Sequence, residues 1–144
     1  MRAAFAALDA AEQAALRGRV AIHDFGWSRA RVDAALVSEA ERHQHPPVRQ
    51  AVVLEENPYG PALYLGAHAR SIEGLDEAQS RQLIERLMAL ATQPAFVYAH
   101  RWRPHDLVMW DNRAVAHRAT AFATKTERRH MVRTCVAGTA PTLS

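Results

Sequence analysis

Asp106-Leu107-Val108-Met109-Trp110-Asp111-Asn112-Arg113-Ala114-Val115-Ala116-His117-Arg118 is the stretch from which the fold is read. The apolar run Leu107 to Trp110 ends in Asp111-Asn112, whose short polar side chains bond their own backbone and favour turns, so a buried strand is expected to stop there. A second apolar segment, Ala114 to Ala116, then delivers His117. Arg128 to Ala137 reads as the last strand, and because side chains alternate along a strand, Arg129, Met131, Arg133, Cys135 and Ala137 share one face. One imidazole and two guanidiniums are thereby expected to point inward. On that face Arg129 and Arg133 start roughly 13 Å apart at about 3.3 Å per residue, far enough to serve different anionic groups.

Working upstream, Phe96 to Trp102 reads as a strand by its aromatic and β-branched content, with Pro104 limiting where it can pair. Asp76 opens a helix with Gln79 as its capping partner, and Leu83, Ile84, Leu87, Met88 and Ala91 form its core stripe before Pro94 closes it. Val48 to Leu54 and Ala62 to Leu65 read as two strands joined by the turn signal Glu56 to Pro61, after the helix-breaking Pro46-Pro47. Residues 28 to 41 read as a polar helix or loop with only Val32, Leu36 and Val37 to bury, and from Val20 to Trp27 helical spacing is lost. Residues 2 to 20 read as two short helices, the second entered through Asp9-x-x-Glu12.

The 144 residues are one domain's worth, and the formal charge of +3 is spread along the chain with no block of like charges. That dispersion argues against nucleic acid as a partner. Arg dominates over Lys, and Arg is the residue for bidentate recognition of carboxylates, so small anionic molecules fit better. The single cysteine, Cys135, excludes an internal disulfide and a cysteine-based zinc cluster. No apolar run is long enough to span a membrane and the start does not read as a signal peptide, so a cytoplasmic setting is expected.

Eight histidines raise the question of a metal site. His43-Gln44-His45 lies in a polar stretch before two prolines, and no acidic partner follows it at close spacing. His23, His68, His100, His105 and His130 each stand isolated, as structural or surface histidines commonly do. His117 differs in its context, Trp110-Asp111-Asn112-Arg113-x-x-x-His117-Arg118-Ala119 followed by Arg128-Arg129-x-Met131-x-Arg133.

That motif, with Leu65-Gly66-Ala67-His68, Ile72-Glu73-Gly74-Leu75 and Phe96-Val97-Tyr98-x-His100-Arg101-Trp102, resembles the C-terminal part of the Fe(II)/2-oxoglutarate-dependent dioxygenases of the taurine dioxygenase and 2,4-dichlorophenoxyacetate dioxygenase type. The resemblance implies an α+β chain, the C-terminal portion of a double-stranded β-helix, or jelly roll, with flanking helices. It implies Fe(II) as cofactor and 2-oxoglutarate as co-substrate, the iron held by two histidines and a carboxylate with positions left open. His117 matches the family's distal histidine, Arg129 the arginine that pairs with the far carboxylate of 2-oxoglutarate, and Arg133 the one near the substrate or co-substrate anion. The spacing from His117 is one residue longer than the family's, so Arg128 stands as the alternative to Arg129, which strand parity favours.

The family's other two ligands come from a His-x-Asp or His-x-Glu tripeptide, and this sequence contains neither. Residues 1–144 are therefore expected to be a single partial dioxygenase domain, lacking the strands that carry that tripeptide. The activity implied is hydroxylation of a small, anionic organic substrate coupled to 2-oxoglutarate decarboxylation; the alternative is a non-catalytic remnant or interaction module. Unpaired strand edges would favour self-association.

Overall fold

The computed structural model describes residues 1–56, 58–123, 125, 126, 128–138, 142 and 143. Two short helices open the chain, α1 (Arg2–Ala6) and α2 (Ala10–Leu16), the second capped by the Asp9 side chain, which accepts the Glu12 amide. There follow β1 (Val20–His23), α3 (Phe25–Ala30), a 3-10 turn (Ala34–Leu36) and α4 (Glu39–Gln44). Then come β2 (Val48–Ala51), β3 (Val53–Leu54), β4 (Ala62–Leu63), β5 (Ala69–Ile72) and the long α5 (Glu77–Ala91), closed by a second 3-10 turn (Pro94–Phe96). Asp76 and Gln79 form the expected capping box at the start of α5.

The strands form two antiparallel sheets, β2-β1-β5 and β3-β4. β2 and β3 are one extended run interrupted at Val52. Its amide donates to the Arg19 carbonyl (2.9 Å) and its carbonyl accepts the Tyr64 amide (2.8 Å), so the chain changes partners at this one buried residue. Helices α1 and α5 touch each other and pack on β4 and β5, respectively. Phe5, Leu8, Leu16, Val52, Leu63, Ile72, Ile84 and Leu87 lie at the centre of the core between helices and strands. Of the three apolar residues offered by 28–41, only Val37 is buried; Val32 and Leu36 are exposed.

The outer edge of β5 is closed by α5. Val20 accepts the Glu73 amide, which makes Ile72, paired with Ala21, face its backbone groups away from β1. Ser80 Oγ accepts the Ile72 amide (3.0 Å) and reaches its carbonyl (3.4 Å), while Arg81 donates to the Ala69 carbonyl (3.2 Å). An edge satisfied by helix side chains offers no ladder to a further strand.

The strands expected at Phe96 to Trp102, Leu107 to Trp110, Ala114 to His117 and Arg128 to Ala137 are not formed; among the described residues from 97 onward there is neither helix nor strand. A strand exists only as part of a ladder, and β-propensity expresses packing against cross-strand neighbours. The described residues of this arm form no ladder with another strand, and Leu107, Met109, Val132 and Val136, apolar and fit for a strand, stand exposed. The arm meets the folded body at Ala114, whose carbonyl accepts the Arg2 amide (3.2 Å), one of the donors that the start of α1 leaves open, and at Thr142, whose hydroxyl accepts the Ala51 amide of β2 (3.3 Å) and donates to Gln50. The observed chain is thus α+β with antiparallel sheets.

Candidate active site

The turn read from Asp111-Asn112 is present. Asp111 Oδ1 accepts the Arg113 amide (2.8 Å), its carboxylate is gripped by the Arg113 guanidinium, and its carbonyl accepts the amides of Ala114 and Val115. Trp110 Nε1 donates to Asn112 Oδ1 (3.0 Å). The Arg113 side chain and amide hold the Asp111 carboxyl below its ordinary pKa, and Arg113 is raised in return, so the pair stays ionised.

This turn folds the chain back so that the His117 ring lies 4.8 Å, centroid to centroid, from that of Trp110. His117 is exposed. The Arg129 guanidinium sits 5.8 Å from the Phe122 ring and its Nε is 2.7 Å from Met131 Sδ. Arg133 is exposed and, among the described residues, makes no ion pair. No hydrogen bond or ring contact among the described residues joins His117 to Arg129 or Arg133, because the strands that would align them are not paired. His45 packs its ring edge on Phe25 (5.2 Å), in another part of the molecule.

No three His, Cys, Asp or Glu side chains among the described residues are grouped so that they could hold a metal ion. Fe(II) in an N/O site needs several ligands in a defined geometry, and one exposed imidazole does not fit that need.

Two groupings escaped the sequence reading, which treated their histidines as isolated. His100 Nε2 lies 3.0 Å from Asp106 Oδ2 and its Nδ1 3.0 Å from the Tyr98 hydroxyl, with Trp102 edge-on at 4.6 Å. The Arg103 amide and His100 lower the pKa of Asp106. The second grouping joins His23, Ser28 and His68 at the start of α3. The only local hints were Asp106 six residues from His100 and the cap-forming Asp24 beside His23.

The profile of the Taurine catabolism dioxygenase TauD, TfdA family matches residues 1–135. The chain is 44% identical over 123 residues to an alpha-ketoglutarate-dependent 2,4-dichlorophenoxyacetate dioxygenase of Cupriavidus pinatubonensis, covering 85% of this chain and 43% of that protein. It is 34% identical over 134 residues to an (S)-phenoxypropionate/alpha-ketoglutarate-dioxygenase of Delftia acidovorans, covering 89% and 46%. The crystal structure of AAD-2 in complex with Mn(II) and N-oxalylglycine is similar with a TM-score of 0.72 at 38% identity, over 79% of this chain and 46% of that one. The chain spans about half the length of the relatives it matches. Motif, fold and relatives agree: the chain belongs to the TauD/TfdA family of dioxygenases.

Proposed function

We propose that this chain carries the distal-histidine and two-arginine share of an Fe(II)/2-oxoglutarate dioxygenase centre, which hydroxylates a small anionic organic substrate as 2-oxoglutarate is decarboxylated. The observation that carries this reading is the Asp111 turn, with the His117 ring 4.8 Å from that of Trp110, inside a match of 44% identity to a 2,4-dichlorophenoxyacetate dioxygenase. His117 is the iron ligand in this reading. Arg129, with Arg128 as the alternative, takes the far carboxylate of 2-oxoglutarate, and Arg133 the substrate or co-substrate anion. A bidentate guanidinium suits such carboxylates, and phenoxy acids are the substrate class named for the relatives.

Among the described residues no iron site is completed, and the sequence has no His-x-Asp or His-x-Glu tripeptide, so residues 1–144 are read as a partial domain whose remaining two ligands belong to a His-x-carboxylate strand outside this sequence. In the complete centre the arm from residue 97 on would pair into the jelly roll. Its setting in this reading is the cytoplasm, its ligand a small molecule and not nucleic acid or membrane; no helix among the described residues is long and apolar enough to cross a bilayer. That no three ligand side chains are grouped among the described residues fits a second reading as well, a non-catalytic module that keeps part of the fold.

The test is iron binding and succinate formation. The chain alone, given Fe(II), 2-oxoglutarate and 2,4-dichlorophenoxyacetate, is expected to give no succinate. Joined to a segment bearing a His-x-Asp strand it should bind Fe(II) and turn over, lose both with H117A, and with R129A show a raised KM for 2-oxoglutarate while still binding iron. Succinate from the chain alone, or a joined form indifferent to H117A, refutes the assignment; a folded but inert joined form supports the non-catalytic module.

A further inference from the structure

β1 ends at His23, and Asp24 starts α3. Asp24 Oδ1 accepts the Trp27 amide (2.8 Å), Oδ2 pairs with Arg70 Nη1 (3.0 Å), and the Asp24 amide donates to the His68 carbonyl (2.8 Å). One turn further, the buried Ser28 Oγ lies 2.9 Å from the Phe25 carbonyl and 2.6 Å from His68 Nδ1. A hydroxyl has one proton, so both contacts are hydrogen bonds together only if Ser28 donates to Phe25 and His68 Nδ1 donates to Ser28. His68 thus ties α3 to the segment entering β5.

His23 lies beside this tie. Its ring stacks on Tyr64 (5.9 Å, 14°) and is hydrogen-bonded to the Tyr64 backbone, while its buried Nε2 has no partner among the described residues. Among the described residues no hydrogen bond joins the charged and titratable groups around it to that nitrogen. Asp24 is committed to Arg70; Arg49 and Glu73 pair with each other, Arg49 registering with Ile22 and therefore facing the other side of the sheet; His45 packs on the edge of Phe25; and His68 spends its Nδ1 on Ser28. A proton added at Nε2 would create a buried N–H donor with no acceptor beside a second imidazole, a costly state.

We propose that His23, His68 and Ser28 form an acid-sensitive latch that holds α3 against the sheet at neutral pH and releases it as the pH falls. Burial first, and then the neighbouring His68, hold the His23 pKa below its ordinary value, against the opposing bond to Tyr64. Because the closed state binds the proton more weakly than the open one, the latch is fully stabilised above the ordinary histidine pKa of about 6.5 and weakens as pH falls from there through the lowered value.

Amide hydrogen exchange at Ser28 and Arg29, corrected for intrinsic rates and followed between pH 7.5 and 5, reads the opening directly. The opening equilibrium should rise by about threefold or more on acidification, while amides in the middle of α5 stay unchanged. H23N keeps a donor for Tyr64 but takes no proton, and should abolish the rise. H68N keeps the donor to Ser28 without a charge, and should move the midpoint to higher pH. An α3 indifferent to pH, or a full response surviving in H23N, overturns the latch; should H23N not fold, an H68N midpoint at the wild-type position does so.

Discussion

Replacing Ser80 by Ala removes a single oxygen from the interface between α5 and the edge of β5, and its cost can be worked out from the contacts. Ser80 and Ile72 are 0% and 1% exposed, so no water reaches the groups left behind. The Ile72 amide, bonded to Oγ at 3.0 Å, becomes a buried unsatisfied donor, at about 1–3 kcal/mol. The carbonyl contact at 3.4 Å is long and contributes little beyond this. Against the loss stands the better helix propensity of Ala, a few tenths of a kcal/mol. The net expectation is about 1–2.5 kcal/mol of destabilisation, or a drop in Tm of roughly 3 °C per kcal/mol for a chain of this size. Urea unfolding followed by circular dichroism should show a lower midpoint with an unchanged slope, and the Ile72 amide should exchange faster. A change within about 0.5 kcal/mol of zero, the range of ordinary surface substitutions, would refute the claim that Ser80 is what satisfies this edge.

Two further outcomes are expected. Asp76→Ala removes the acceptor of the Gln79 amide (2.8 Å) and should destabilise the fold by about 1 kcal/mol in the same urea assay, since α5 loses its N-cap. The arm carrying Leu107, Met109, Val132 and Val136 in the open should drive concentration-dependent association, visible by light scattering after size exclusion at about 100 µM, and Leu107→Lys with Val136→Lys should reduce it; a wild-type chain that stays monomeric there contradicts the expectation.

What the sequence disclosed was what is decided locally. The Asp76-x-x-Gln79 box, the Asp9 cap, the β3-β4 hairpin and the Asp111 turn each depend on residues close together in the chain, and each is present. The strands assigned beyond residue 96 were read from side-chain character alone, and character does not supply the partner backbone on which a ladder depends. The tie between Ser28 and His68 spans 40 residues, and Ser80 looked like an ordinary polar helix position; only the packing of α5 on β5 makes it an internal ligand of the sheet. For the candidate site the motif identified His117 and the two arginines by family, while their mutual placement depends on the same missing ladders.

Val52 has one further consequence. Its two backbone groups are spent in different sheets, one on Arg19 and the other on Tyr64, and Tyr64 in turn stacks on His23 of β1. A one-residue slip of β2 along β1 would therefore drag β3 out of step with β4 and turn the buried side chains of both sheets outward. The two small sheets cannot find their alignments independently: a mistake in either is a mistake in both, so they should melt and form as one cooperative unit, with Val52 amide exchange as slow as that of either sheet's centre.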